Sequence, residues 1–117
     1  MKILIVDDEV EICSSLCTML QFRGFEVDTA NNGEGAIEKL KETKFDLVMS
    51  DINMPNMDGV ALLKHVVEFH PKLPMILMTG YAEYQEDHLL KIGAKKVLQK
   101  PFNTKTLLDV LTQYKPE

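Results

Sequence analysis

The stretch ILIVDDE at residues 3–9 places an uninterrupted apolar run of four residues directly before three acidic side chains. A short apolar run without alternation predicts a strand that is buried on both faces, as in parallel sheets covered by helices. The run stops after four residues, whereas the apolar core of a signal peptide needs about seven. We therefore interpret this stretch as the first strand of a parallel sheet.

Short apolar runs and helical patterns alternate along the rest of the chain. The first helix follows the acidic residues, with Val10, Cys13 and Leu20 as expected inward positions, and it ends at Gly24. Further strands are predicted at residues 27–30, 45–50, 75–78 and 97–98, and further helices after the turn at 31–33, over 60–70, over 82–92 and near the chain end. Such an alternation predicts an α/β domain with a doubly wound parallel sheet covered on both faces.

The composition indicates one ordinary globular domain. The chain has 117 residues, 45% hydrophobic and 26% charged, so we expect a single domain over residues 1–117. A formal net charge of −5 argues against holding a nucleic-acid backbone through bulk electrostatics. No apolar run approaches the roughly 18 residues of a membrane span, and we expect a cytoplasmic protein. The two cysteines, Cys13 and Cys17, are expected to be small, buried apolar residues in a reducing compartment.

Polar side chains follow the predicted strands at their carboxyl ends, where open parallel sheets bind ligands. The set comprises three carboxylates, an amide, a hydroxyl and an ammonium: Asp7, Asp8, Asp51, Asn53, Thr79 and Lys100. Two like charges about 4 Å apart repel by about 4 kcal/mol at an effective dielectric constant of about 20, so the carboxylates need a proton or a cation among them. Because the candidate ligand atoms are all oxygens, a hard ion is favoured, Mg²⁺ or Mn²⁺. Such an ion usually neutralises a phosphoryl group, to which Lys100 and Thr79 could donate.

The sequence lacks the glycine-rich loops that hold nucleotide phosphates. Neither G-x-x-x-x-G-K-[ST] nor G-x-G-x-x-G follows the first strand, and Asp7 and Asp8 stand at that turn instead. A phosphoryl group would therefore arrive without a nucleotide, and Asp51 is the side chain able to attack it as a nucleophile.

Four short motifs together resemble the receiver domain of two-component response regulators. They are VDDE at residues 6–9, DINMPNMDG at 51–59, MTG at 78–80 and KPF at 100–102, and the resemblance covers essentially the whole chain. It implies a flavodoxin-like (βα)5 fold with a parallel five-stranded sheet in the order 2-1-3-4-5. It also implies a function in phosphorelay signal transduction, in which the domain accepts a phosphoryl group from a phosphohistidine and changes its partner-binding surface.

The resemblance assigns a phosphoacceptor and a set of metal ligands. Asp51 corresponds to the aspartate that becomes phosphorylated. Asp8, Asp51 and the backbone carbonyl of Asn53 would bind Mg²⁺, and Asp7 would help directly or through water. Such a domain catalyses only its own phosphorylation and dephosphorylation, so the resemblance implies a signalling domain and not an enzyme with other substrates.

The resemblance also assigns the residues around the phosphoryl group. Thr79 corresponds to the hydroxyl that moves onto the acyl phosphate, and Lys100 to the lysine that bonds a phosphoryl oxygen. The Lys100–Pro101 peptide is expected to be cis, with Pro101 as the cis-proline. Gly80 has no side chain and would leave access to Asp51 open.

One position departs from the family pattern. Val97 stands three residues before Lys100, where receivers usually carry a Tyr or Phe that swings inward when the threonine moves. We therefore expect the last helices to report phosphorylation through a backbone shift of the loop after the fourth strand, with Tyr81 or Tyr84 involved.

A second row of residues on the first helix is a candidate docking surface. Ile12, Ser15 and Met19 lie about a third of a turn from the expected core face. In receivers this helix docks the helix bundle of a sensor histidine kinase or histidine phosphotransferase, and the bland alternative is a set of scattered surface apolar residues.

Two other functions are compatible with the same fold. A metal-dependent phosphatase with an aspartyl nucleophile needs a second acid two residues on, where this chain has Asn53. A phosphorylation-independent pseudo-receiver would act only as a protein-interaction module. The receiver resemblance also implies a downstream effector protein or domain, and a chain that is a monomer or a phosphorylation-dependent dimer.

Overall fold

The computed structural model describes residues 1–80 and 86–114 and confirms the predicted alternation of strands and helices. The elements are β1 (Lys2–Val6), α1 (Val10–Phe22), β2 (Glu26–Ala30), α2 (Gly33–Glu42), β3 (Leu47–Asp51), α3 (Gly59–Phe69), β4 (Met75–Thr79), α4 (Glu86–Ile92), β5 (Lys96–Gln99) and α5 (Thr104–Gln113). None of the described helices combines the length and the apolar character that crossing a bilayer requires.

The five strands form one parallel sheet in the order β2-β1-β3-β4-β5, which confirms the fold class. The pairing of β1 with β3 begins at Ile3 opposite Leu47, so β3 starts later than the predicted residue 45. The same strand continues through Asp51, so its carboxylate lies at the carboxyl end of the central strand.

Alternate residues of the central strands point to opposite faces of the sheet and build two separate apolar clusters. Leu4, Val6 and Val48 pack with residues of α2, α3 and α4, including the buried Leu62. Ile3, Ile5, Leu47 and Met49 pack with residues of α1 and α5 on the other face, including Cys13, Leu20, Leu107 and Leu111. Both faces are thus covered, which explains why the strands carry continuous apolar runs.

The expectation that Val10 points inward is wrong, because its side chain is 61% exposed. The buried residues of α1 are Cys13 and Leu20, with Leu16 partly buried beside them. At about 100° per residue, Val10 lies roughly 60° from Cys13 on the side opposite Leu16. The helix is therefore rotated slightly from the expected orientation, and its first residue faces away from the core.

The outer strand β2 carries an ion pair along its free edge. Lys39 of α2 lies 2.6 Å from the Asp28 carboxylate, which also accepts a hydrogen bond of 2.8 Å from the backbone N–H of Thr29. Partial burial raises the pKa of the Asp28 carboxyl, but these two hydrogen bonds and the charges of Lys39 and Lys2 together outweigh it and leave the pKa below its ordinary value. The charged carboxylate therefore stabilises this edge.

Three helices begin at a side chain that accepts a hydrogen bond from the first turn. The caps are Asn32 for α2, Asp58 for α3 and Asn103 for α5. Asn103 accepts from the backbone N–H of Thr106 at 2.8 Å. Such caps satisfy N–H groups that have no partner within the helix.

We predict that Asn103→Ala lowers the free energy of unfolding by about 1 kcal/mol, since it leaves an N–H of the first turn of α5 without its partner. Urea unfolding monitored by circular dichroism measures the change. Asn103→Asp is the control, because it keeps the acceptor and should retain most of the stability. Equal losses in the two variants would contradict the assigned role of this cap.

Candidate functional site

Parallel pairing brings the carboxyl ends of four strands to one edge of the sheet. Asp7 directly follows β1, Asp51 ends β3 opposite Met78, Thr79 ends β4, and Lys100 directly follows β5. The backbone N–H of Lys100 donates to the carbonyl of Thr79 at 2.7 Å, which continues the ladder to the lysine. The sheet therefore gathers side chains that lie far apart in the sequence.

Three carboxylates converge at this edge. One oxygen from each of Asp7, Asp8 and Asp51 lies within 4.8 Å of the other two. Asp7 is fully buried and Asp51 is 5% exposed, whereas Asp8 is exposed. The cluster thus opens toward solvent on the side of Asp8.

Lys100 is the counter-charge of the two buried carboxylates. Its Nζ lies 3.1 Å from Oδ2 of Asp7 and 3.6 Å from Oδ1 of Asp51. The other oxygen of Asp7 accepts a hydrogen bond of 3.0 Å from the backbone N–H of Glu9. The lysine is followed by a cis peptide bond to Pro101.

Burial and neighbouring charges shift the pKa of two groups at this site, Asp51 and Lys100. Burial, reinforced by the repulsion of Asp7 and Asp8, raises the pKa of the Asp51 carboxyl, and the charge of Lys100 and the backbone N–H of Asn53 lower it without cancelling that rise. Burial alone would lower the pKa of Lys100, but its hydrogen bond to Asp7 and the charge of Asp51 raise it overall. The lysine therefore stays charged, while the charge on Asp51 is held at a cost in free energy.

The donor atoms of this cluster fit a hard divalent cation. All three are carboxylate oxygens, and the cluster that the described residues form includes no histidine or cysteine. The carboxylate of Asp8 is open to solvent. Mg²⁺ prefers such oxygen ligands and retains several waters, which a solvent-open cluster permits. Asp7, Asp8 and Asp51 could hold the ion, and Asn53 lies exposed in the loop that follows β3.

Thr79, Gly80 and Val97 are the remaining predicted site residues that the structure describes. Thr79 is buried, and Gly80 is exposed with open space where a Cβ would stand. Val97 is half-buried on β5 opposite Leu77 and packs against the α2–α4 side of the core. Tyr81 and Tyr84, which the sequence associated with the switch, lie outside the described residues.

The candidate docking row borders a groove beside the site. Ser15 is exposed, whereas Ile12 and Met19 are half-buried. Two adjoining cavities of about 470 and 220 Å³ run along α1, and Lys100 lines the larger of them. A larger cavity of about 770 Å³ lies at the amino edge of the sheet, and none of the predicted site residues lines it.

Two contacts that support the site were not anticipated. Gly59 lies so close to β3 that an added Cβ would collide with the carbonyl oxygen of Asp51 and stand 2.8 Å from Cα of Ile52. Its N–H donates to the Ile52 carbonyl at 2.8 Å. The sequence indicated a turn at Gly59 but gave no signal of this approach. The hydrogen bond from Glu9 to Asp7 was equally hidden, because any residue could supply a backbone N–H.

Comparisons with known proteins agree on one family. The model of the response regulator receiver domain family matches residues 3–112. The chain is 40% identical over 112 residues to the transcriptional regulatory protein ZraR of Klebsiella oxytoca, which covers 95% of this chain and 25% of ZraR. It is 39% identical over 108 residues to the transcriptional regulatory protein CpxR homolog of Haemophilus influenzae, covering 92% of this chain and 47% of that protein. The chain thus spans about a quarter to a half of the length of these relatives.

A solved structure extends the likeness to three dimensions. The response regulator TrrA of Thermotoga maritima, crystallised in complex with Mg²⁺-BeF, superposes with a TM-score of 0.90 at 34% sequence identity. The superposition covers 97% of this chain and 98% of TrrA.

We predict that Asp51→Asn stabilises the metal-free protein at neutral pH by about 1 kcal/mol, the usual size of a single-substitution effect. The carboxyl has a raised pKa, so the wild type loses stability as the pH rises from the unfolded value near 3.8 through the folded value. The amide has no such loss. Urea unfolding in EDTA at several pH values measures the difference.

Asp28→Asn is the matched control, because it makes the same change at a carboxyl whose pKa is lowered. It should destabilise the protein by less than about 1 kcal/mol at neutral pH, since the pair with Lys39 is half exposed. This loss should disappear as the pH falls through the lowered pKa. A loss of stability at neutral pH in Asp51→Asn would contradict our account of the cluster.

Proposed function

This chain belongs to the family of response regulator receiver domains, and from that premise we propose that Asp51 accepts a phosphoryl group in a Mg²⁺-dependent reaction. The donor would be the phosphohistidine of a sensor histidine kinase or histidine phosphotransferase. The observation that carries the proposal is the buried Asp51 carboxylate, 3.6 Å from Lys100 and clustered with Asp7 and Asp8. TrrA, a relative of the same fold, was crystallised with Mg²⁺ and a beryllium fluoride.

The proposed step is a displacement at phosphorus. A carboxylate oxygen of Asp51 forms a bond to phosphorus as the bond from phosphorus to the donor imidazole nitrogen breaks, and that nitrogen keeps the electron pair. The product is an acyl phosphate on Asp51. Mg²⁺ held by Asp7, Asp8, Asp51 and the carbonyl of Asn53 would neutralise charge on the phosphoryl oxygens.

Lys100 serves two states of this site. Before transfer its charge offsets the two buried carboxylates, which keeps Asp51 deprotonated and able to attack. After transfer it would donate to a phosphoryl oxygen, and the hydroxyl of Thr79 would donate to another. Open space at Gly80 leaves room for the donor to approach.

The switch follows from the added charge. Phosphorylation replaces the single negative charge of the Asp51 carboxylate with roughly two on the phosphoryl group, beside the carboxylates of Asp7 and Asp8, so donors must move toward it. Thr79 is the last residue of β4, and its movement would displace the residues that follow it. Val97 cannot supply the ring that usually follows the threonine, and we propose that a backbone shift after β4, with Tyr81 or Tyr84 involved, conveys the change to the last helices.

The domain would act on partner proteins. We propose that it catalyses only its own phosphorylation and dephosphorylation, works in the cytoplasm and controls an effector protein or domain. The relatives ZraR and CpxR homolog, both transcriptional regulatory proteins, are two to four times the length of the matched region. The domain would be a monomer or a phosphorylation-dependent dimer.

We predict that acetyl phosphate and Mg²⁺ add one phosphoryl group to the wild type and to Asp28→Asn, and none to Asp51→Asn. Intact-protein mass spectrometry measures the addition, and EDTA should abolish it in all samples. Sustained hydrolysis of the donor without a labelled protein would indicate the phosphatase alternative. The absence of both labelling and hydrolysis in the wild type would indicate the pseudo-receiver and contradict the proposal.

We predict that Ile12→Glu slows phosphotransfer from a histidine phosphotransferase by at least about tenfold, because a charge at the centre of an apolar contact removes a major share of binding energy. Quench-flow with radiolabelled donor protein measures the rate. Phosphorylation by acetyl phosphate should be unchanged, since it needs no docking. Phe22→Glu is the control at the far end of α1, where the side chain is 87% exposed. Equal rates in the two variants would contradict the docking role.

A further inference from the structure

The turn after β2 and the first residue of α2, residues 31–33, contribute no carboxylate to the cluster, but they contact Asp7 on one side and the loop after Asp51 on the other. On one side, the side-chain amide of Asn31 donates to the backbone carbonyl of Asp7 at 3.2 Å. The N–H of Asp7 donates to the carbonyl of Ala30, the last residue of β2, at 3.1 Å, so Ala30 and Asn31 together contact both backbone polar groups of Asp7. The thiol of Cys13 also donates to the carbonyl of Asp7, at 3.4 Å.

On the other side, Gly33 lies against the loop that follows Asp51. A Cβ on Gly33 would stand 2.7 Å from Cγ and Sδ of Met57 and 2.8 Å from its Cβ. These separations are well below van der Waals contact. Since the Cβ of Met57 is attached directly to the main chain, rotation of the side chain cannot relieve all three contacts. Gly33 therefore sets how closely this loop approaches α2.

The loop has little freedom to absorb a displacement of Met57. The N–H of Met57 donates to the Pro55 carbonyl at 2.9 Å, and Asn56 between them has a φ of 69°. Two residues after Met57, Gly59 is wedged against the backbone of Asp51. A push on Met57 is thus passed along the main chain toward Asn53.

We propose that Asn31 and Gly33 are positioning residues of the Mg²⁺ site. Asn31 fixes the main chain of Asp7, and Gly33 fixes the loop that carries Asn53. This inference rests on the proposed Mg²⁺ site of the preceding section. It means that the metal affinity depends on a turn that does not itself touch the metal.

The test compares four single variants of the full chain. Each is titrated with Mg²⁺, and the amide NMR shifts are recorded both during the titration and in the metal-free state. Gly33→Ala should weaken Mg²⁺ binding about tenfold, the lower end of effects from residues that orient metal ligands. Asn31→Ala should weaken it about threefold, through the loss of one hydrogen bond. In the metal-free state, the amide shifts of Asn53 should move in the first variant and those of Asp7 in the second.

Two control variants change the same turn without changing either contact. Asn32→Ala removes the N-cap of α2 and should lower the unfolding midpoint, yet leave the Mg²⁺ affinity unchanged. Gly35→Ala places a Cβ 3.1 Å from Oδ1 of Asn32, within the turn itself, and should also leave the affinity unchanged. The double variant Gly33→Ala/Met57→Ala should regain part of the lost affinity, since two of the three close contacts are gone.

Wild-type affinity in both Gly33→Ala and Asn31→Ala would overturn the inference. Equal weakening in the two controls would overturn it as well, because metal binding would then follow general stability. If the wild-type protein bound no Mg²⁺, that result would instead contradict the proposed function. The metal-free shifts of Asp7 and Asn53 would in that case still decide whether the turn positions them.

Discussion

Lys100 joins two buried carboxylates from different strands, and the arrangement at the carboxyl edge of the sheet depends on this pair of contacts. Asp7 and Asp51 are both nearly inaccessible to water, and burying two like charges side by side is unfavourable unless a cation lies between them. The lysine meets this need in the metal-free state. A cation bound at Asp8, on the side open to solvent, would also offset the charge of the buried carboxylates. The cluster would then have a positive charge on both sides, Lys100 on one and the cation on the other.

The fold places this balance on a rigid base. The central strands carry apolar side chains to both faces, and each face is closed by its own group of helices. Asp51 belongs to β3 itself and is held from behind by Gly59 at the start of α3. The Asp51 carboxylate is therefore attached to a strand that is paired on both sides and packed on both faces.

The sequence predicted the fold and the membership of the cluster for one shared reason. Continuous apolar runs indicate parallel strands, and parallel strands bring whatever follows them to one edge. Asp7, Asp51, Thr79 and Lys100 could thus be placed together without coordinates. The exposure of Val10 could not be predicted, because the periodicity of α1 allows several orientations that differ by tens of degrees.

The supporting contacts were hidden for a different reason. Gly33 and Met57 belong to separate turns, and only the approach of α2 to the loop after β3 brings them together. The donors to Asp7 include a backbone N–H, which leaves no mark in the sequence. The sequence therefore indicates which side chains form the cluster. It does not indicate the close contacts that position them, such as Gly33 against Met57 or the N–H of Glu9 on Asp7.

The ion pair between Asp28 and Lys39 has a consequence for the solubility of the domain. Strand β2 is an outer strand, and an outer strand offers unpaired backbone groups to which a second chain can add. Asp28 occupies one of these groups itself, by accepting from the N–H of Thr29, and the lysine keeps its charge at that position. A growing intermolecular sheet would have to strip a charged pair from water to continue past β2, so this small contact also guards the protein against aggregation.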